Sequence, residues 1–498
     1  MKLNYKRTIF VGFAFFLILA FWQAYDTIIP KILTDKFGMS QSHSGLIMGI
    51  DNILALFMLP LFGTLSDKCK SKLGRRTPFI LVGTIIASLF FVGLAFVDGM
   101  QLKLLEDVAP QNPTAQETLY DADLSFKTPD GKELTLKDEF SKEEFAAIPM
   151  YSQDGSTNDD YTNFVVPARQ AYARQATMEN QTPLILFIVV LLVILIAMST
   201  FRSPAVALMP DVTMKPLRSK ANAIINLMGT AGGIIVLGLG MVFATGSAKN
   251  ALMSYTVFFS CIAGLMLLAL VIFLWKVKEP QFVREMHEES VRLGIEEEGN
   301  EDGSGDRRLS KGEKRSLILI LASVVLWFFG YNAVISKYSV YAGSVLNLDY
   351  NLTLMIATGA AIVSYVPVGA IASKVGRKKT ILVGIVILGA SFLCASFMGA
   401  GSPPILMNIL FATAGIGWAT INVNSYPMVV ELSQGGNVGK FTGFYYTASM
   451  AAQTLTPVVS GFIMDKLGMR TLFPYGCIFV LLAFITMLFV KHGDNKVA

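Results

Sequence analysis

Tyr25-Asp26-Thr27-Ile28-Ile29-Pro30-Lys31 is spelled again 306 positions later as Tyr331-Asn332-Ala333-Val334-Ile335-Ser336-Lys337. At the same 306-residue offset, Gly63-Thr64-Leu65-Ser66-Asp67-Lys68 returns as Gly369-Ala370-Ile371-Ala372-Ser373-Lys374. One such match could be chance, but two at one spacing mark a duplicated unit, and a repeat of this length decides the architecture before any single element is assigned.

The medium around the repeat follows from composition. Hydrophobic residues make up 53% of the chain and charged residues 15%, with a mean hydropathy of +0.54. Soluble domains carry about 25% charged residues, so the chain belongs in lipid. Apolar runs of about 20 residues, enough to cross a bilayer as helices, fall near 9–30, 44–64, 78–97, 184–208, 221–245, 252–276, 316–341, 352–373, 380–400, 404–430, 441–464 and 471–490. Their apolarity is continuous, with none of the period-two alternation of barrel strands. The sequence therefore predicts an all-α membrane protein of twelve transmembrane helices in two pseudo-symmetric six-helix bundles, 1–276 and 316–498, joined by a linker at 277–315. A doubled block of membrane helices implies two halves rocking around a shared site at the midplane, the arrangement of alternating access.

Cation counts orient the chain. Lys68, Lys70, Lys72, Arg75 and Arg76 crowd the connection after the second run, and Lys374, Arg377, Lys378 and Lys379 crowd the one after the eighth. Both connections, both termini and the linker are predicted to be cytoplasmic, in a bacterial-type plasma (inner) membrane. The first run follows Lys2, Lys6 and Arg7 and has no small-residue cleavage site, which predicts a retained helix. The formal charge of +5 is explained by this topology and carries no nucleic-acid inference. Cys69, Cys261, Cys394 and Cys477 lack metal-ligand or redox spacing, so no cofactor or metal is expected.

Two polar segments interrupt the pattern. The linker, with Glu296-Glu297-Glu298-Gly299-Asn300-Glu301-Asp302-Gly303 at its heart, has the charge and glycine content of a flexible connector. The segment 98–183, on the exterior face, holds 16 acidic against 7 basic residues. Thr128-Pro129-Asp130-Gly131-Lys132 lies there between short alternating stretches and predicts a β-hairpin. The segment reads either as a small cap over the entrance or as a decorative, partly disordered insertion. It also accounts for the repeat spacing, because Asp211 and Glu431 pair at an offset of 220, and 306 minus 220 is 86, the length of 98–183.

The connection Pro60-Leu61-Phe62-Gly63-Thr64-Leu65-Ser66-Asp67-Lys68-Cys69-Lys70-Ser71-Lys72-Leu73-Gly74-Arg75-Arg76-Thr77-Pro78-Phe79-Ile80 carries a resemblance. It resembles the signature of the major facilitator superfamily, and the form from Ser66 to Ile80 is similar to sucrose carriers and related glycoside:cation symporters. The stretch Pro204-Ala205-Val206-Ala207-Leu208-Met209-Pro210-Asp211 followed by Ala221-Asn222-Ala223 resembles the same carriers. The chain departs from the plant pattern where the acid of the fourth helix falls on Leu195 and an arginine falls on Val206, so the plant coupling residue does not transfer. The resemblance implies the major facilitator fold, and with no phosphate-cradling glycine loop, metal cluster or nucleophile–base pair in the sequence no enzymatic activity is expected. Asp67, Arg75, Arg76, Asp211, Arg218, Arg377, Glu431 and Lys440 are expected to form a gate that latches the cytoplasmic side, since arginine forks suit carboxylates; positive-inside anchoring is the simpler alternative.

Ionisable residues inside apolar runs are the candidates for coupling, because each costs about 2.5–3.5 kcal/mol at a helix centre unless it faces a cavity or a partner. These are Asp51, Asp26 and Arg202. Asp51 is the foremost candidate for binding and releasing a cation, with Asp26 second. Asp26 as a vestibule residue, Asp51 as a purely structural partner and Arg202 as a snorkelling side chain stay open. Polar and aromatic residues at helical spacing extend the expected substrate site to Gln23, Asn226, Trp327, Tyr331, Asn332, Trp418, Asn422, Tyr445 and Gln453, a set suited to sugar hydroxyls and pyranose faces. The function expected is cation-coupled uptake, most simply with protons, of a disaccharide or related glycoside. The alternatives are a uniporter or exporter of another small solute, or a non-transporting membrane sugar sensor.

Overall fold

The structure, a computed structural model, describes residues 3–129, 131–153, 156–213, 218–292, 309–430, 432 and 438–493. Twelve long helices carry the chain: α1 (Tyr5–Lys31, prolonged by a π-helical turn Ile32–Lys36), α2 (Gln41–Lys68), α3 (Thr77–Lys103), α4 (Thr182–Asp211), α5 (Arg218–Val242) and α6 (Thr256–Lys276) in the first half. The second half holds α7 (Lys311–Tyr341, prolonged by a π-helical turn Ala342–Leu346), α8 (Tyr350–Val375), α9 (Arg377–Ala395), α10 (Pro404–Val430), α11 (Val438–Leu467) and α12 (Leu472–Leu488). Ten of the twelve contain a stretch long and apolar enough to cross a membrane, and α8 adds a shorter one, Tyr350–Tyr365. The eleventh predicted run corresponds to α11, which carries Pro457 and a polar series along its length.

Apolar side chains divide into one cluster gathered by α1–α6 and a second gathered almost wholly by α7–α12. The pairing of helices repeats between them. In the first half α1 packs on α5 and α6, α3 on α4 and α6, and α2 on α4; in the second α7 packs on α11 and α12, α9 on α10 and α12, and α8 on α10. Adding six to each number of the first set gives the second, so the sequence repeat is a repeat of packing.

The halves meet through α1 with α7, α2 with α11, and α5 with α8. Glycine permits the closest of these approaches: a Cβ on Gly461 of α11 would overlap the Gln41 carbonyl oxygen of α2, and one on Gly45 of α2 would overlap the Pro457 oxygen. Both contacts lie at the end of the bundle opposite the chain termini, called here the insertion end. The other is the terminal end, where α2 runs into α3.

The insertion differs from the looser of the two expectations. It has its own apolar core, including Leu105, Leu119, Phe126, Leu136, Phe145 and Tyr161, and short helices at Ala115–Ala122, Lys142–Ala146 and Val166–Glu179. The predicted hairpin is present, with Phe126 paired to Leu134 and Lys127 to Glu133. Its start is later than predicted. Asp98 belongs to α3, fully enclosed, and its carboxylate receives the Lys36 Nζ at 2.6 and 2.8 Å. Lys36 also donates to the Met253 oxygen at 2.7 Å and stands 4.3 Å from the Tyr255 ring centre.

The linker is not uniformly irregular either. Residues Glu279–Arg292 form a helix folded against the first half, with the Arg7 guanidinium 3.7 Å from the Phe282 ring centre and 3.0 Å from Glu285. Residues 293–308, the acidic glycine-rich heart, lie outside the described residues.

Removing one member of a buried ion pair strands the other charge, at a cost of about 3–5 kcal/mol. Lys36→Met is therefore expected to lower the thermal unfolding temperature in detergent sharply, and the double variant Lys36→Met/Asp98→Leu to recover much of the loss. Equal unfolding temperatures for the two variants would contradict the pairing.

Candidate functional site

Asp26, Asp51 and Arg202 stand on three different helices of the first half, yet they come together. Asp26 has Asp51 and Arg202 as its electrostatic neighbours, and Asp51 has Arg202 as its own. Helical geometry explains the gathering from α1: Trp22 lies one turn before Asp26, and its indole takes the Arg202 guanidinium at 5.4 Å from the ring centre. Tyr25 on the same turn donates its hydroxyl to the Met48 oxygen at 3.4 Å, which ties α1 to α2 next to Asp51. Asn52 donates its side-chain amide to Asp51 Oδ1 at 2.8 Å. Two carboxylates and one guanidinium in lipid satisfy part of each other's charge, and together they can accept a cation or a proton without leaving an isolated charge. Gln23 faces Gly233 of α5, and Asn226 of α5 is exposed.

The second half contributes aromatic and amide groups. Tyr331 of α7 and Trp418 of α10 stack face to face, with ring centres 3.7 Å apart and planes within 1°. Phe328 meets Trp418 edge-on at 5.2 Å. Asn332 follows Tyr331, and its amide nitrogen is buried with no hydrogen-bond partner among the described residues, as is the Trp22 indole nitrogen. Such donors cost about 1–3 kcal/mol each when left unmet, which suits groups reserved for a polar ligand. Asn422 is a neighbour of the Tyr365 hydroxyl, Tyr445 meets Ser425 at 2.9 Å, and Gln453 donates to the Ser449 oxygen at 3.3 Å. Trp327 is a correction: it is 0% exposed, enclosed in the second half's apolar core.

Of the residues expected at the gate, Arg75, Arg76 and Asp211 come together, as a brace within one half. Arg76 Nε meets Asp211 Oδ2 at 2.8 Å, and Arg75 reaches the same oxygen at 3.6 Å. Arg76 also donates to the Gly63 oxygen at 3.4 Å and to the Ser66 hydroxyl. The α2–α3 connection is thereby tied to the end of α4. Arg377 opens α9 after Gly376. Glu431 lies outside the described residues, as do the side chains of Asp67, Arg218 and Lys440.

Glu279 is the residue that sequence reasoning missed. Only 1% exposed, its carboxylate accepts the backbone N–H groups of Arg75 at 2.7 Å, Arg76 at 2.9 Å and Thr77 at 2.8 Å, and the Thr77 hydroxyl at 2.7 Å. It caps α3 from the far end of α6, a favourable place for a negative charge. Gly74, with φ +113° and no room for a Cβ beside Glu279, makes the turn possible.

At the insertion end the two lysines that close the repeated heptapeptide reach across the halves. Lys337, 0% exposed, donates to the Gln41 oxygen at 2.7 Å. Lys31, 6% exposed, pairs with Asp35 at 3.4 Å and points at Gly343 beyond α7. Asp465 of α11 accepts the N–H groups of Gln41 and Ser42 at 2.8 and 2.9 Å, so the start of α2 is capped by the other half. Tyr350 and Asn351 of α8 bond Thr245 after α5, at 2.8 and 3.1 Å. The insertion joins in, since Asn347 bonds Thr162 and donates to the Thr157 oxygen at 3.0 Å, and Lys127 donates to the Asp465 oxygen at 3.2 Å. These hydrogen bonds between the halves all lie at this end. A cleft of 930 Å³ separates the insertion from the bundle there, and Asp26, Asp51 and Arg202 do not line it.

The pattern of the Major Facilitator Superfamily matches residues 175–433 and 350–497, and that of the MFS/sugar transport proteins matches 10–105. The chain belongs to the Major Facilitator Superfamily. It is a multi-pass membrane transporter by family and not an enzyme. A sucrose transport protein of Arabidopsis thaliana is 42% identical over 67 residues, 14% of this chain and 11% of that protein. The uncharacterized protein YqgE of Bacillus subtilis is 26% identical over 205 residues, 39% of this chain and 45% of that one. The chain thus spans less than half the length of either relative.

Among solved structures, the inward-open xylose transporter XylE from E. coli overlays with a TM-score of 0.58 at 15% identity, covering 98% of this chain and 96% of that one. A D-xylose-proton symporter gives 0.59 at 15%, covering 98% and 99%, and a mutant of the nucleoside transporter NupG gives 0.54 at 14%, covering 97% and 100%. These share the fold. Among the described residues no group of three or more His, Cys, Asp or Glu is placed to hold a metal ion.

A carboxylate that takes four donors at a helix start is worth several charge-assisted bonds, each about 1.5–3 kcal/mol. Glu279→Ala is expected to lower the thermal unfolding temperature in detergent markedly and Glu279→Gln by less, whereas substitution of the neighbouring exposed Glu288 leaves it unchanged. An unaltered unfolding temperature in Glu279→Ala would contradict the capping role.

Proposed function

We propose that this transporter takes up a disaccharide or related glycoside together with a cation, a proton in the simplest case, by alternating access. The observation that carries the reading is the joining of Asp26, Asp51 and Arg202 inside the span of the first half. An uncoupled solute pore has no use for two carboxyl groups at that depth, and a lone structural pair would need only one. The match of residues 10–105 to sugar transport proteins and the partial likeness to a plant sucrose carrier support a sugar as cargo.

In the proposed cycle the insertion end faces outside and the terminal end faces the cytoplasm, in the plasma membrane. Asp51 gains a proton from the outside, with Asp26 as its neighbour. That event frees Arg202 from part of its counter-charge and leaves its donors for the incoming sugar. Gln23 and Asn226 from the first half and Asn332, Asn422, Tyr445 and Gln453 from the second supply hydroxyl partners. The Tyr331–Trp418 stack offers an aromatic face to a pyranose ring. The halves then close outside through the Lys337–Gln41 and Asp465–Ser42 contacts, and Arg75, Arg76, Asp211, Arg218, Arg377, Glu431, Lys440 and Asp67 govern the cytoplasmic side. Loss of the proton inside restores the Asp51–Arg202 attraction and releases the sugar.

Asp51→Asn in proteoliposomes separates coupling from movement. Uptake driven by a pH gradient is expected to fall to background while sugar counterflow persists, because the amide keeps the shape and loses the charge change. Gradient-driven accumulation equal to that of the parent chain would refute the role of Asp51. If a panel of glycosides and nucleosides gave substrate-induced alkalinisation only with nucleosides, the sugar assignment would fall while coupling stood.

A further inference from the structure

Arg169 lies on the insertion helix Val166–Glu179 and is 2% exposed. Its Nη1 donates to the Tyr161 hydroxyl at 3.2 Å, and its Nε has no acceptor among the described residues. A guanidinium brings five N–H donors and keeps its charge. The other enclosed cations Lys36, Lys31 and Arg76 each pair with a carboxylate, and Lys337 gives a donor to the Gln41 oxygen with Asp465 as its electrostatic neighbour; among the described residues Arg169 pairs with no carboxylate. Burying such a charge without a counter-charge is strongly disfavoured.

Two cavities adjoin this side chain. The one of 210 Å³, beneath the insertion, also touches Lys31, Asp35 and Asp349. Those acids are already engaged, Asp35 by Lys31 and by Gln170 at 2.8 Å, and Asp349 by the Asn351 backbone and side-chain N–H groups at 2.7 and 2.8 Å. The other cavity, of 320 Å³, is inside the insertion, and Arg169 is the single charged residue among those described that line it. The amides on its wall are spoken for: Gln111 donates to the Lys249 oxygen, Asn112 to the Glu106 and Asp107 oxygens, and Gln116 to the Phe145 and Ile148 oxygens. That leaves the guanidinium and the Tyr161 hydroxyl, which accepts from Arg169 and keeps its own proton to give.

We propose that the insertion binds a compact monovalent anion, a halide or a carboxylate group, between Arg169 and Tyr161 in the 320 Å³ cavity. The site has a route to the bundle. Tyr161 begins the turn that carries Thr162, the partner of Asn347 in the second half, so an occupied site firms the contact that holds the insertion end closed.

The test uses the full chain in detergent, equilibrated with the HEPES sulfonate as the anion, which is neither a halide nor a carboxylate. Chloride, bromide or acetate is titrated at constant ionic strength while thermal unfolding is followed. The expected result is a saturable rise in unfolding temperature of several degrees, seen in the parent chain and lost in Arg169→Met. A rise with halides alone assigns an inorganic ion, and one with acetate alone assigns a carboxylate. Tyr161→Phe, which keeps the ring in the core, shifts the midpoint to higher anion concentration and provides the readout if Arg169→Met fails to fold. A crystal soaked in bromide places the anomalous peak beside Arg169 in the halide case. No saturable rise in the parent chain, an equal rise in Arg169→Met, an unmoved midpoint in Tyr161→Phe, or a bromide peak elsewhere, meaning an adventitious ion only, overturns the proposal.

Discussion

The closure of α2 against α11 at the insertion end is the constraint on which the rest of the structure depends. Gly45 and Gly461 let the two backbones approach to the limit of contact, and Asp465 then caps the first turn of α2 from the opposite half. A helix start has N–H groups that need acceptors. By drawing that acceptor from the other half, the chain makes the docking of two bundles and the completion of one helix the same event. Lys337 completes the reciprocal arrangement by donating to the carbonyl of Gln41.

The same economy governs the charges inside the span. Lipid offers no solvation, so a buried acid or base must find its partner in the protein. Lys36 and Asp98 do so as a closed pair with no further capacity, which marks them as structural. Asp26, Asp51 and Arg202 are an unequal set, two acids to one base, with Trp22 as the additional neighbour of the base. An unequal set changes charge more readily than a matched pair. That difference separates a coupling candidate from a staple, although both are ionisable groups at membrane depth.

Much of this was legible in the sequence. The offset of 306 residues foretold the repeat of helix pairing, and the turn chemistry of 128–132 foretold the hairpin. Arg76 and Asp211 were recognisable because opposite charges at two helix ends on one side of the membrane have few other partners. Glu279 was not, because it caps a helix 202 positions away in the chain and nothing in local spacing reveals such a pairing. Trp327 misled for a related reason: an aromatic on an apolar helix reads alike whether it lines a chamber or fills a core. The compactness of the insertion was hidden by the irregular spacing of Leu105, Leu119, Phe126, Leu136 and Phe145, which belong to short elements too brief for a periodic signal.

The central claim is that two related bundles, joined at one end, exchange that closure for closure at the other. Pulsed electron–electron resonance tests it most directly, with spin labels at exposed positions 249 and 397 at the insertion end and, separately, 70 and 379 at the terminal end. On imposing a pH gradient with sugar present, the account predicts that a longer distance appears in the first pair together with a shorter one in the second. Distances that stay fixed in both pairs, or that lengthen together, would contradict it.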